Sequence, residues 1–164
     1  MKKISILLIS VILFSCSTEL KRYPFEDTIS KNQLVYLEND MSLVNGIVYL
    51  KIFNNTLNKE ITYIDGEKEG LESSWYINGQ LFFEGNYIDG KKDGEHKFLE
   101  ENGDLSWKTN YKEGKKDGLD KDYLEGELFT STEYKNGKMD GLYKQYYKGE
   151  LLFTIKYKDG ERID

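Results

Sequence analysis

Groups able to do chemistry are few and widely spaced in this 164-residue chain. There is one thiol, Cys16, and one imidazole, His96, which stands beside a turn glycine. A zinc site needs several Cys, His or carboxylate ligands. An activated nucleophile needs a base within hydrogen-bond reach. One Cys and one His, far apart in the chain, build neither. Carboxylates are abundant, but runs such as Glu100-Glu101 read as solvated hairpin tips, and nothing marks a pair with acid and base roles. The Gly-Lys-Lys-Asp-Gly segments at 90–94 and 114–118 lack the GxxxxGK[ST] pattern of a phosphate loop and the ligand spacing of a calcium loop. Turn chemistry accounts for them. This reading assigns no catalytic residue, no cofactor and no metal, so the chain is not expected to be an enzyme. What recurs instead is a set of rings. Tyr87, Tyr111, Tyr134 and Tyr157 hold one repeated position, and Trp75 and Trp107 are the two tryptophans of the chain. These six form the candidate contact surface, because evenly spaced rings can grip an extended partner as well as cover one another.

The elements that position the rings follow an apolar leader. Met1, Lys2 and Lys3 are a short basic start, and 4–14 is an apolar run broken only by Ser5 and Ser10. That run is shorter than the roughly 20 residues a spanning helix needs, and it fits the apolar core of a secretory signal. Leu13, Phe14, Ser15 and Cys16 resemble the bacterial lipoprotein processing box, with Leu three places before an obligatory Cys and a small residue just before it. The resemblance implies a signal peptide helix over 1–15, cleavage before Cys16 and diacylation of its thiol. Two acyl chains attach stably, at about 0.8 kcal/mol per buried CH₂. The chain is then expected to be exported and held on a membrane of the cell envelope through the lipid on Cys16, facing the periplasm or in the outer membrane if the host is Gram-negative. Loss of Lys2 and Lys3 takes the formal charge from −6 to −8. An acidic body of this kind excludes nucleic acid as a partner, since affinity there comes from Lys and Arg on phosphates.

Residues 16–32 are polar and hold the only proline, Pro24, which predicts a flexible tether. Residues 33–45 carry β-prone runs and predict a capping half-repeat of the sort that arrays place at their ends. From Gly46 the chain repeats itself in five units, 46–69, 70–93, 94–117, 118–140 and 141–164. A fixed period of this length marks a repeat architecture. Each unit reads as strand, tight turn, strand, wider turn. The tight turns are Asn54-Asn55, Asn78-Gly79, Asn102-Gly103, Glu125-Gly126 and Lys148-Gly149. Asn-Gly is a strong hairpin signal where both residues need positive φ. The wider turns hold Asp-Gly or its equivalent, as at Asp89-Gly90. The expected fold is all-β: an elongated, open, single-layer antiparallel meander of tandem hairpins.

Counting by twos along each strand predicts one apolar face. Leu57, Leu81, Leu105, Leu128 and Leu151 share a position, and the tyrosine position follows six residues later. Phe83, Trp107 and Phe153 lie between. Neighbouring strands are expected to add Ile47, Leu71, Leu119 and Leu142 to that face, with Trp75, Leu99, Tyr123 and Tyr146 further on. The opposite face reads as polar. An uncovered apolar face makes a homodimer through it an expectation as well.

The segment 83–94, Phe-Glu-Gly-Asn-Tyr-Ile-Asp-Gly-Lys-Lys-Asp-Gly, resembles the MORN repeat, in which an aromatic, a Gly, an aromatic and two turn glycines recur in one hairpin. The longer spacing and the Asn-Gly hairpin are similar to the bacterial MORN variant often labelled a toxin–antitoxin system antitoxin component. Equivalents of Gly85 in the other units are Ile61, Thr109, Thr132 and Ile155. The resemblance implies a twisted hairpin array that binds or scaffolds a protein partner. The leading expectation is a lipid-anchored envelope module of that kind. The alternative, which the family label implies, is an antitoxin or immunity-type protein that neutralises a toxin by binding it.

Overall fold

The computed structural model describes residues 19–52 and 56–164; Cys16, the 1–15 leader and the Asn54-Asn55 turn lie outside them. The strands are β1 (Arg22–Pro24), β2 (Thr28–Lys31), β3 (Leu34–Leu37), β4 (Gly46–Ile52), β5 (Thr56–Ile64), β6 (Glu67–Trp75), β7 (Leu81–Ile88), β8 (Lys91–Leu99), β9 (Leu105–Lys112), β10 (Lys115–Leu124), β11 (Glu127–Lys135), β12 (Lys138–Tyr147), β13 (Glu150–Lys158) and β14 (Glu161–Arg162). From β4 to β14 each strand pairs antiparallel with the next in one long open meander, as the repeat predicts. β1 joins the start of this sheet parallel to β4, and β2 and β3 form a small sheet of their own.

Two turn types occur, and in the second and third units they are the reverse of the expected pair. Asp65-Gly66, Asp89-Gly90, Glu113-Gly114, Asn136-Gly137 and Asp159-Gly160 have positive φ at both residues. They are two-residue turns whose twist matches the strands they join. Asn78 and Asn102 do not have positive φ; only Gly79 and Gly103 do. The Gly79 N–H donates to the Tyr76 carbonyl and the Tyr76 N–H to the Gln80 carbonyl. That is the longer loop, a type I turn closed by a glycine bulge. Asn78 instead lends its side-chain oxygen to the Gln80 N–H, at 2.9 Å. The fourth and fifth units, one residue shorter, return to two-residue turns at Glu125-Gly126 and Lys148-Gly149.

The Asp-Gly turns stack on one another. The Gly90, Gly114, Gly137 and Gly160 N–H groups donate to the carbonyls of Lys68, Lys92, Lys116 and Met139, one unit earlier. The acidic residue before each opening glycine accepts from the next turn: Glu69 from the Asp89 N–H, Asp93 from Glu113 and Asp117 from Asn136. This is why the acidic residue and the two glycines recur together. They are the mortar between units, and they satisfy turn amides that the sheet ladder leaves free.

A bulge recurs in every hairpin and changes the face assignment. Ser74 pairs with Phe83 but Trp75 pairs with Leu81, so Phe82 is extra. The same step occurs at Asn58, Ser106, Phe129 and Leu152. Ser74 and Trp75 are consecutive and point to opposite faces. Their partners Phe83 and Leu81 therefore do too, and the row of Leu81, Leu105, Leu128 and Leu151 does not share the tyrosine face as expected. Leu71 is also displaced. It pairs with Asn86, whereas Tyr87 and Gly85 pair with Gly70 and Glu72. Leu71 and Leu119 are left 48% and 41% exposed on the far side.

The N-terminal end is tied down more than a tether implies. Residues 22–31, inside the stretch read as flexible, are two strands and a 3-10 turn. Arg22 pairs with Glu60, and the Ile47 N–H donates to the Lys21 carbonyl. β3 folds over the first unit: the Val35 N–H donates to the Gly66 carbonyl and the Gly66 N–H to the Val44 carbonyl. Val35 and Val44 pack on Val48 and Tyr63, with Tyr23, Leu37 and Ile61 around them. The expected cap at 33–45 thus lies over the tyrosine face as a second layer at one end, while the other units have no such layer.

Candidate functional site

Cross-strand register builds the tyrosine face from three rows. The first alternates glycine and tyrosine: Gly70 with Tyr87, Gly94 with Tyr111, Gly118 with Tyr134 and Gly141 with Tyr157. The second runs Val48, Ile61, Glu72, Gly85, His96, Thr109, Asp120, Thr132 and Tyr143. The third includes Phe83, Phe98 and Trp107. Of the six candidate contact rings, Tyr87 is buried, Tyr111, Tyr134 and Tyr157 are half-buried, and Trp107 lies on the same face. Trp75 is on the other face, across from Leu81, so the structure does not bring all six together.

The second row holds the residues that sequence reasoning missed. Glu72 is 4% exposed, His96 0% and Asp120 7%. They occupy the same position in successive units, on alternate strands β6, β8 and β10. Two strand spacings put neighbours about 10 Å apart. The signal that finds them is the repeat itself, since 72, 96 and 120 are aligned. Beneath the cap the equivalent residue is apolar Val48; beyond the cap the row turns ionisable.

Buried charge must be paired. Glu72 takes the Lys59 and Lys68 ammonium groups, each at 2.6 Å. Burial pushes its carboxyl pKa up, but the hydrogen bonds from the two lysines outweigh this and hold it below the usual carboxylate value. Asp120 accepts from the Trp107 indole N–H at 2.9 Å and from Lys116 at 2.6 Å. Burial works against the Lys116 ammonium, yet the Asp120 hydrogen bond leaves its pKa raised. The lysines also serve the rings. Lys68, Lys92 and Lys116 lie over Tyr87, Tyr111 and Tyr134 at 4.6, 4.8 and 4.9 Å from the centroids. The second lysine of Gly-Lys-Lys-Asp-Gly is therefore a cation–π partner as well as a strand-entry residue. The phenols respond to the same surroundings: burial and the Glu72 carboxylate push Tyr63 up to about 12.

His96 stands mid-strand and not in a turn. Its Nε2 lies 2.8 Å from the Asn86 carbonyl, which fixes the donor on that nitrogen. Its Nδ1, and the hydroxyl of its cross-strand neighbour Thr109, are buried without a hydrogen-bond partner among the described residues. Tyr87 and Tyr111 meet the ring edge to face at 5.3 and 4.9 Å. Burial drives its pKa below the ordinary value, the Asn86 carbonyl opposes this, and Lys92 and Lys68 add to the lowering against Glu72. A folded-state pKa below the unfolded one means that protons favour the unfolded chain. Stability is full above about pH 6.5 and falls as pH drops through the folded value. Glu72, with its depressed pKa, adds a second loss below about pH 4.5. Thermal melts between pH 7 and pH 5 should show the first loss in the native chain and not in His96→Gln. A native melt that is flat over that range contradicts the assignment.

The chain matches no family model and no curated protein.

Proposed function

We propose that this chain is a lipid-anchored envelope module of the MORN-variant kind that binds or scaffolds a protein partner and does no catalysis. The observation that carries the reading is how the ionisable groups of the packed face are laid out. They are strung along the sheet about 10 Å apart. Glu72 is tied to two lysines and Asp120 to one. Glu72 and Asp120 lie four strand spacings apart, about 19 Å. Two carboxylates that share a glycosidic bond stand within about 10 Å of each other. A long face of half-buried rings and fixed charges suits contact over many residues. The processing box at Leu13 to Cys16 supports export and acylation.

Two measurements test the parts separately. Native protein should fractionate with membranes and incorporate labelled palmitate, and Cys16→Ser should move it to the soluble fraction. Membrane retention of Cys16→Ser would refute the anchor. A photoreactive group at Tyr111 should cross-link one discrete envelope protein in intact cells. Labelling of lipid alone overturns the binding role.

A further inference from the structure

The outer face carries a row whose polarity changes along the array. Register places Tyr49, Glu60, Ser73, Glu84, Lys97, Lys108, Lys121, Ser131, Lys144 and Thr154 side by side across ten strands. Cross-strand partners point to one face, so this is a continuous line of side chains. Its first half is acidic, with Glu60 and Glu84. Its second half holds four lysines within four strand spacings, about 19 Å. Lys97 stands directly opposite Lys108, and Lys108 directly opposite Lys121. Like charges in direct opposition destabilise a sheet. Other lysine pairs, Lys112 with Lys115 and Lys135 with Lys138, sit at exposed hairpin ends where water screens them. The row lysines are mid-strand and half-buried.

Ion pairing relieves only the near end. Lys97 meets Glu84 at 2.9 Å and Lys108 meets Glu95 at 3.3 Å. Lys121 and Lys144 form no ion pair among the described residues, and the small residue between them is Ser131. A chain with a net charge of −6 has therefore gathered unpaired positive charge on one line of its sheet. Natural sequences break a local rule of this sort where function requires it.

We propose that the Lys108–Lys121–Ser131–Lys144 line is a docking surface for an extended acidic segment of a protein partner, lying across the strands of β9 to β12. Complementarity of charge selects the occupant. The acidic body repels a long polyanion, while a short segment feels mainly the local field. An extended peptide presents every second side chain to one side, roughly 6.8 Å apart, a spacing that flexible lysines on β9, β10 and β12 can follow. The surface ends before β5 to β7, where the row holds Glu60, Ser73 and Glu84 and no lysine.

This inference rests on the reading of the chain as a binding module and not on the anchor, so peptide binding and membrane retention fail independently. The test uses the full purified chain and a fluorescein-labelled octapeptide of alternating Glu and Ser, read by anisotropy. Binding is expected at about 20 mM salt and lost at about 300 mM. Lys121→Glu and Lys144→Glu should each weaken it about tenfold. Lys31→Glu, at the end of β2 and away from this row, should leave it unchanged. Lys121→Glu should also raise the melting temperature, since Lys108 gains an opposite charge; this readout separates lost docking from lost folding. Absence of binding at low salt, equal binding by Lys121→Glu, Lys144→Glu and the native chain, a lowered melting temperature for Lys121→Glu, or tighter binding of inorganic polyphosphate than of the peptide each overturns the proposal.

Discussion

Gly85→Val is expected to lower the stability of the array by about 3 kcal/mol, the upper part of the overpacking range. A Cβ at this position lies 2.3 Å from His96 Nδ1, 2.6 Å from Cε1 and 2.8 Å from Cγ. The ring cannot step aside. Phe83, Tyr87 and Tyr111 surround it, and its Nε2 is held by the Asn86 carbonyl. The backbone itself does not demand glycine here, because φ at Gly85 is not positive. The same position is Ile61, Thr109, Thr132 or Ile155 in the other units, so β-branched residues fit the strand. The cost is therefore a collision with one imidazole, and removing the imidazole should remove it. In a His96→Ala background Gly85→Val should cost far less, with a coupling of about 2 kcal/mol in urea melts. Equal losses in both backgrounds would show that backbone preference and not the ring decides the position.

The same pair shows what a single sequence reveals of this fold. The glycine period gives the number of hairpins and the open meander, because turns with positive φ admit few residues and their spacing fixes strand length. The faces were harder. Counting by twos fails at a bulge, and the residues that make the bulges, Asn58, Phe82, Ser106, Phe129 and Leu152, have no common chemistry. One extra residue per hairpin puts Leu81, Leu105, Leu128 and Leu151 on the other face. Leu71 misled for a related reason: its apolar side chain suggests burial, while Glu72 beside it is the buried residue because Lys59 and Lys68 neutralise it. Such pairing joins residues from two neighbouring strands, β5 and β6, and leaves no mark in local composition. The ring ladder was legible from repetition, but its lysine partners looked like turn formers because their ring contacts lie one unit away in sequence. Arg22, Tyr23 and Pro24 looked like a tether because a short parallel edge strand carries no periodic pattern, and Pro24 sits where an edge tolerates it.

Tyr87→Ala should destabilise by about 3–4 kcal/mol, the range for deleting a large buried ring. Tyr157→Ala should cost about 1 kcal/mol, as expected where the side chain is already half open to water. The two residues hold the same repeat position, so the difference measures context alone. Tyr87 lies between β6 and β8, beneath Lys68 and against His96, and its phenol is pushed upward by burial and the nearby Glu72 carboxylate. Tyr157 has β12 on one side and only two residues of β14 on the other. Stability in a stacked array adds from unit to unit through nearest neighbours. A hole at Tyr87 weakens two interfaces at once and separates the capped first unit from the rest. Amide exchange in Tyr87→Ala should therefore accelerate across β6 to β9 while β11 and β12 keep their protection. Tyr157→Ala should speed exchange only in β13 and β14. Uniform acceleration along the sheet in both variants would mean that the array opens as one cooperative block, and the ladder of rings would then be a global core and not a chain of local joints.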